Sequence, residues 1–131
     1  MKRLLLLGIV ALIGVFSINA QNYSDEIFTA VEEKPEFPGG EGELMKWVAN
    51  NIQYPPAAVE ENAQGRVVVK FVVEKDGRVG EVKVVRGKHP DLDKEAVRVV
   101  KSIKTRFIPG KNNGQPVRQW FTFPIIFKLQ Q

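Results

Sequence analysis

Across 131 residues there is no cysteine and only one histidine, His89. Without cysteine there is no disulfide, no thiol nucleophile and no site for a lipid thioether near the N-terminus. None of the Cys/His spacings that hold transition metals is present. No nucleophile stands beside a base in a recognisable motif. Nothing points to an enzyme, and no cofactor or metal is implied. Long apolar runs are missing too. The longest, Leu4 to Ile18, falls short of the ~20 residues a helix needs to cross a bilayer. The eight prolines are dispersed and form no rigid spacer.

Met1-Lys2-Arg3 precedes that short run and Asn19-Ala20-Gln21 follows it. This is the layout of a secretory signal peptide over residues 1–20, with cleavage after Ala20. The alternative is an uncleaved inner-membrane anchor. Charge is divided along the rest of the chain. The stretch from Gln21 to Glu61 carries a balance of −7, and everything from Asn62 onward carries +9. The plain reading is an acidic arm beside a solvated basic surface. The sharper reading is a basic face for an acidic partner, and export argues against nucleic acid. Residues 21–37 read as a flexible acidic lead-in, in which Ile27, Phe28 and Val31 are able to dock, and residues 38–131 as one domain.

Within the domain, valine-rich runs flank Asp76-Gly77. Asp-Gly signals a two-residue hairpin turn, in which both central residues take φ > 0. The register that follows sets Lys75 against Arg78, Phe71 against Val82 and Val69 against Val84. Val67, Val69, Phe71 and Val73 then share a face with Val82 and Val84, so turn and hydrophobic pattern agree. Upstream, Pro35 to Gly40 is a turn. Glu41 to Ile52 carries Leu44, Trp47, Val48 and Ile52 at helical spacing, with Glu41 and Glu43 at its positive end. Gly39-Gly40-Glu41-Gly42 lacks the Lys and Ser/Thr of a phosphate loop. Tyr54-Pro55-Pro56 stops the helix, and Pro56 to Glu61 adds a short turn. Asp91 is expected to cap a second helix bearing Leu92, Ala96, Val99, Val100 and Ile103, which makes His89 a loop residue. Pro109 to Gly114 is a turn, and Val117 to Leu129 alternates as a strand.

The order helix, strand, strand, helix, strand restricts the topology. The fold class is α+β, a three-stranded antiparallel sheet in the order second, first, last, with two helices on one face. The last strand is an edge. Pro124 lies inside it, and a proline without an N–H belongs on an edge with its nitrogen outward. A long bare edge invites either a second copy of the chain or an extended peptide from a partner. Four or five added hydrogen bonds at ~0.5–1.5 kcal/mol each support only weak binding alone. Trp120 is expected on the face away from the helices with Val68, Val72, Val79 and Val85, a face more apolar than a solvated one should be. Lys70 opposite Lys83 on this face is unfavourable unless an acidic partner or diagonal Glu81 relieves it.

Several segments together resemble the C-terminal domain of TonB, the periplasmic energy transducer of Gram-negative bacteria. They are Tyr54-Pro55 with Ala57-Ala58, Gly65-Arg66-Val67, Phe71-Val72-Val73 with Asp76-Gly77, Leu92-Asp93-Lys94-Glu95-Ala96, Phe107-Ile108-Pro109-Gly110, Gly114-Gln115-Pro116-Val117 and Pro124-Ile125-Ile126-Phe127. Pro35-Glu36-Phe37-Pro38-Gly39-Gly40 is similar to the form common in Bacteroidota. The resemblance implies a periplasmic, non-enzymatic module whose last strand receives the TonB box. That box is a short N-terminal segment of an outer-membrane TonB-dependent receptor, and energy-dependent nutrient uptake follows from its binding. The implied partner-binding residues are Val117, Arg118, Trp120, Thr122, Pro124, Ile126 and Lys128. A full transducer adds an anchoring helix with a Ser-xxx-His pair and a long Pro-rich spacer. Here residues 21–38 would reach roughly 60 Å at most. Energy coupling on this reading goes through a separately anchored inner-membrane motor complex. The alternative is a non-energising periplasmic interaction domain of the same fold, serving a secretion assembly, the cell wall or a homodimer.

Overall fold

A computed structural model describes residues 25–129. The leader expected over residues 1–20, and its cleavage, lie outside the described residues. In chain order the elements are β1 (Ile27–Phe28), α1 (Glu41–Asn51), α2 (Pro56–Glu60), β2 (Gly65–Val73), β3 (Val79–Arg86), α3 (Pro90–Lys101), β4 (Gly110–Asn112) and β5 (Gln115–Phe127).

The three long strands stand as expected, with β2 between β3 and β5 and antiparallel to both. They are the centre of a larger sheet. β1 adds to β5 in parallel, and β4 pairs antiparallel with its first residues, so the sheet has five strands and is mixed. This corrects the three-stranded antiparallel expectation. A two-residue strand and a three-residue strand carry almost no period-2 signal, which is why both were invisible in the sequence. Residues 25–37 form a strap held to the domain. Beyond β1, Glu33 exchanges backbone hydrogen bonds with Lys111, and Glu36 does so with Ile108. Phe37 is buried edge-on against Phe107, 5.2 Å between ring centres.

The two turns differ from expectation in an instructive way. At Asp76-Gly77 the Gly77 N–H donates to Glu74 O at 2.8 Å, and Glu74 N–H to Arg78 O at 2.8 Å. Only Gly77 has positive φ, at 87°, so the loop is three residues long with glycine at its left-handed position. The extra residue moves Val79 opposite Val73, and Val79 packs against the core instead of joining Trp120. An irregularity between Phe71 and Val73 restores the expected pairs Phe71–Val82 and Val69–Val84. The two-residue turn occurs elsewhere. Asn112 faces Gln115 across Asn113-Gly114, whose φ values are 52° and 75°. A Cβ at Gly77 would lie 2.1 Å from Phe107 O, so glycine there is required by space as well as by φ.

Helix α3 starts at Pro90, one residue before the expected cap. Proline fits the first helical position because its missing N–H has no partner there anyway. The cap is therefore His89, whose Nδ1 accepts from Asp91 N–H at 3.1 Å. With Nδ1 accepting, the ring proton sits on Nε2, 2.5 Å from Glu61 Oε2. Leu44, Val48, Leu92, Ala96, Val99 and Val100 from α1 and α3 meet Val67, Val69, Phe71, Phe123, Ile125 and Phe127 from the sheet. Trp47 and Ile52 pack at the margin of this core. Tyr54 lies edge-on to Phe127, 5.7 Å between ring centres, and donates its hydroxyl proton to Ala63 O. Burial pushes its phenol pKa up.

Candidate functional site

β5 alternates strictly. Phe121, Phe123, Ile125 and Phe127 point to the helices, and Trp120, Thr122, Pro124 and Ile126 to the opposite face. Pro124 stands opposite Val68 of β2. A hydrogen-bonded pair needs an N–H from each residue, so this pair is of the non-bonded kind and Pro124 turns its nitrogen outward. Two residues on either side, Thr122 and Ile126 turn their N–H and C=O the same way. No strand among the described residues pairs with 122–127 on that outer side.

The margin is shorter than the 117–129 expected. On the outer side Arg118 and Gln119 align with Ile27 and Phe28 of β1, while Val117 is paired with Gly110 of β4 on the side facing β2. Arg118 is further held by its side chain. Its Nε and Nη2 donate to the Glu74 carboxylate at 2.7 and 3.2 Å, and Nη1 donates to Asp25 O at 3.0 Å. The Glu74 hydrogen bond holds the guanidinium pKa above its usual value. Of the seven residues singled out by sequence, Val117 and Arg118 are thus engaged by the chain's own strands. Thr122, Pro124 and Ile126 lie on the open margin, Trp120 stands at its start beside β1, and Lys128 sits just past the strand end. Ile126 is 63% exposed despite its apolar side chain.

Helix α1 packs on α3, and a groove runs between it and this margin. Beside Phe123 to Ile126 the groove is apolar, about 150 Å³, and its helical wall is Met45, Val48, Ala49 and Ile52. A separate hollow of about 450 Å³ lies beside Gln119 to Thr122, rimmed by Lys34, Glu36, Phe37, Gly40 and Glu41. These groove residues escaped the sequence reading. Met45 and Ala49 sit one position past Leu44 and Val48, and an exposed methionine (46%) flanking a core stripe is the signal that was there to find. Gln119, 5% exposed, donates weakly from Nε2 to Thr29 O at 3.5 Å and keeps an unpartnered Oε1.

On the opposite face Trp120 lies across from Val72, which is fully buried outside the main core. Lys70 and Lys83 face each other and both lean onto the indole, their ammonium groups 4.6 and 5.6 Å from its centre. Lys83 also lies 3.7 Å from Glu81, two residues before it on β3, rather than Glu81 reaching Lys70 on the diagonal.

Residues 50–129 match the family of Gram-negative bacterial TonB protein C-terminal domains. The chain belongs to that family. The TonB C-terminal fold also appears in the solved structures similar to it. The Helicobacter pylori TonB C-terminal domain, residues 194–285, is 22% identical with a TM-score of 0.51, over 69% of this chain and 94% of that one. A longer segment of it, residues 179–285, is 24% identical at TM-score 0.51, over 72% and 88%. The Pseudomonas aeruginosa TonB C-terminal domain is 29% identical at TM-score 0.47, over 61% and 80%. No curated protein matches the chain at a significant level. Among the described residues no helix is long and apolar enough to cross a membrane, and no three His, Cys, Asp or Glu converge as metal ligands would.

Proposed function

We propose that this TonB-family domain binds the N-terminal TonB box of outer-membrane TonB-dependent receptors by strand addition to β5, in the periplasm and in support of nutrient uptake. The observation that carries the reading is the bare margin over 122–127, flanked by a groove. Thr122 and Ile126 each offer an N–H and a C=O, and Pro124 offers a C=O. Five hydrogen bonds at ~0.5–1.5 kcal/mol net amount to roughly 2.5–7.5 kcal/mol before the costs of association. Side chains entering the groove between α1 and β5 supply the remainder by burying apolar surface. Energy reaches the receptor through a separately anchored inner-membrane complex.

The test is a titration of the isotope-labelled protein with N-terminal peptides of such receptors, read at backbone amides. Shifts centred on Thr122 and Ile126 are expected. Peptides that bind without moving those amides, or fail to bind at all, would remove the receptor reading. Shifts at the same amides that grow with protein concentration alone would assign the margin to a second copy of the chain.

A further inference from the structure

The two faces that flank the open margin differ in chemistry, and an added strand must meet both. In a sheet, cross-strand neighbours place their side chains on the same face. Residues of an added strand opposite Phe123 and Ile125 therefore point into the groove of Met45, Ala49 and Ile52. Their sequence neighbours, opposite Thr122 and Ile126, point to the helix-free face whichever way the strand runs. On that face the register puts a cation directly behind each of the two exposed residues of the open margin. Arg66 lies behind Ile126, and Lys70 behind Thr122.

Lys70 and Lys83 lean across the sheet onto Trp120, which carries positive charge toward the margin. The carboxylates of this face are already engaged. Glu74 is forked by Arg118, and Glu81 lies beside Lys83. Arg66 and Lys70 make no ion pair among the described residues. Two ammonium groups gathered on one indole, with the unpaired guanidinium of Arg66 on the strand of Lys70, leave a surplus of positive charge. An anion on the incoming strand would relieve it.

We propose that the segment taken up by β5 is an extended peptide that alternates apolar and acidic side chains, the apolar ones entering the α1 groove and the acidic ones meeting Lys70, Lys83 and Arg66. This rests on strand addition at β5 and names the chemistry of the added strand.

The test uses three peptides of roughly ten residues, of one length and with the same apolar positions, whose alternate positions are all Glu, all Ser or all Lys. Binding is followed by amide shifts at Thr122 and Ile126 and by Trp120 fluorescence, with the wild-type protein and the Lys70→Gln/Lys83→Gln variant. The Glu peptide is expected to bind at least about tenfold tighter than the Ser peptide and to lose most of that margin between about 50 and about 300 mM salt. The Lys peptide is expected to bind weakest. The variant, checked for an unchanged amide spectrum away from the site, is expected to bind Glu and Ser peptides within about twofold of each other. Equal affinities of the three peptides, with the β5 amides still shifting, would overturn the acidic preference and leave strand addition standing. Glu-peptide binding that leaves Thr122 and Ile126 unmoved would overturn the alternation. If no peptide shifts those amides, strand addition itself fails.

Discussion

Pro124 faces Val68 across the sheet with its nitrogen turned to the outside. That one pair sets the direction of every backbone group along the open margin of β5, because N–H and C=O orientations repeat every two residues. Ile126 is two residues on and opposite Arg66, so its N–H also faces out. Ile126→Pro removes an outward donor and no ladder bond. Its unfolding free energy is expected to stay within about 1 kcal/mol of wild type, because residue 125 is already extended as a residue before proline must be. Receptor peptide affinity is expected to fall by about 0.5–1.5 kcal/mol, roughly 2- to 12-fold. Calorimetric titration beside thermal unfolding separates the two effects, and unchanged affinity would move the contact off Ile126.

Glu95 is 8% exposed and accepts from Arg98 Nε and Nη2 at 2.6 and 2.7 Å and from Gln53 N–H at 2.6 Å. Burial works to raise its pKa, and the bonds from Arg98 and Gln53 outweigh it, so the carboxyl ends below its usual range. A depressed pKa means stability that is full above the unfolded value of about 4.3 and lost as pH falls through the folded pKa. Glu95→Gln is expected to cost roughly 1–3 kcal/mol at neutral pH, since Arg98 is half-exposed and rehydrates. The gap between variant and wild type is expected to close in acid. Denaturant melts at neutral pH and below pH ~4 measure it, and a gap independent of pH would show that the charge on Glu95 is not what stabilises.

The Glu74–Arg118 fork fastens the strap, because Arg118 also donates to Asp25 O. Both side chains are about a third exposed, which limits the pair to roughly 0.5–1 kcal/mol globally. Glu74→Gln is therefore expected to leave the melting transition nearly in place and to speed amide exchange at Ile27 and Phe28 far more than in β2. Uniform acceleration across the sheet would contradict this local role.

Gly77 combines φ of 87° with a Cβ position 2.1 Å from Phe107 O. Gly77→Ala is expected to lose at least about 2 kcal/mol, from left-handed backbone strain and from displacement of the Phe107 segment, whose N–H bonds Gly77 O at 2.8 Å. A loss under about 1 kcal/mol, the range of a tolerated glycine replacement, would mean that the loop re-forms as a different turn.

His89 shows how a local rule misplaces a boundary by little and a role by much. Asp91 has the better capping side chain, but Pro90 begins the helix, so the histidine becomes the cap and ties α3 to Glu61. The hairpins show the same effect. Asp-Gly and Asn-Gly carry similar turn signals, yet only Asn113-Gly114 forms the two-residue turn. At Asp76-Gly77 the contact with Phe107 selects a longer loop, and the face of Val79 changes with it.

The alternation of β2 and β5, the amphipathic stripes of α1 and α3, and the exclusion of Pro124's nitrogen from any ladder follow from residue order alone. Side-chain period and a missing N–H are local properties that no neighbour can alter. How much of β5 stays bare was decided only when the chain folded. The strap carries only a two-residue strand, too short to leave a periodic trace, and it covers the outer side of β5 beside Arg118 and Gln119 through backbone bonds that any residues can make. The groove beside α1 likewise depends on how the helix packs across α3 and the strand. Packing direction is a property of the assembled core, set by which large side chains meet, and no single segment encodes it.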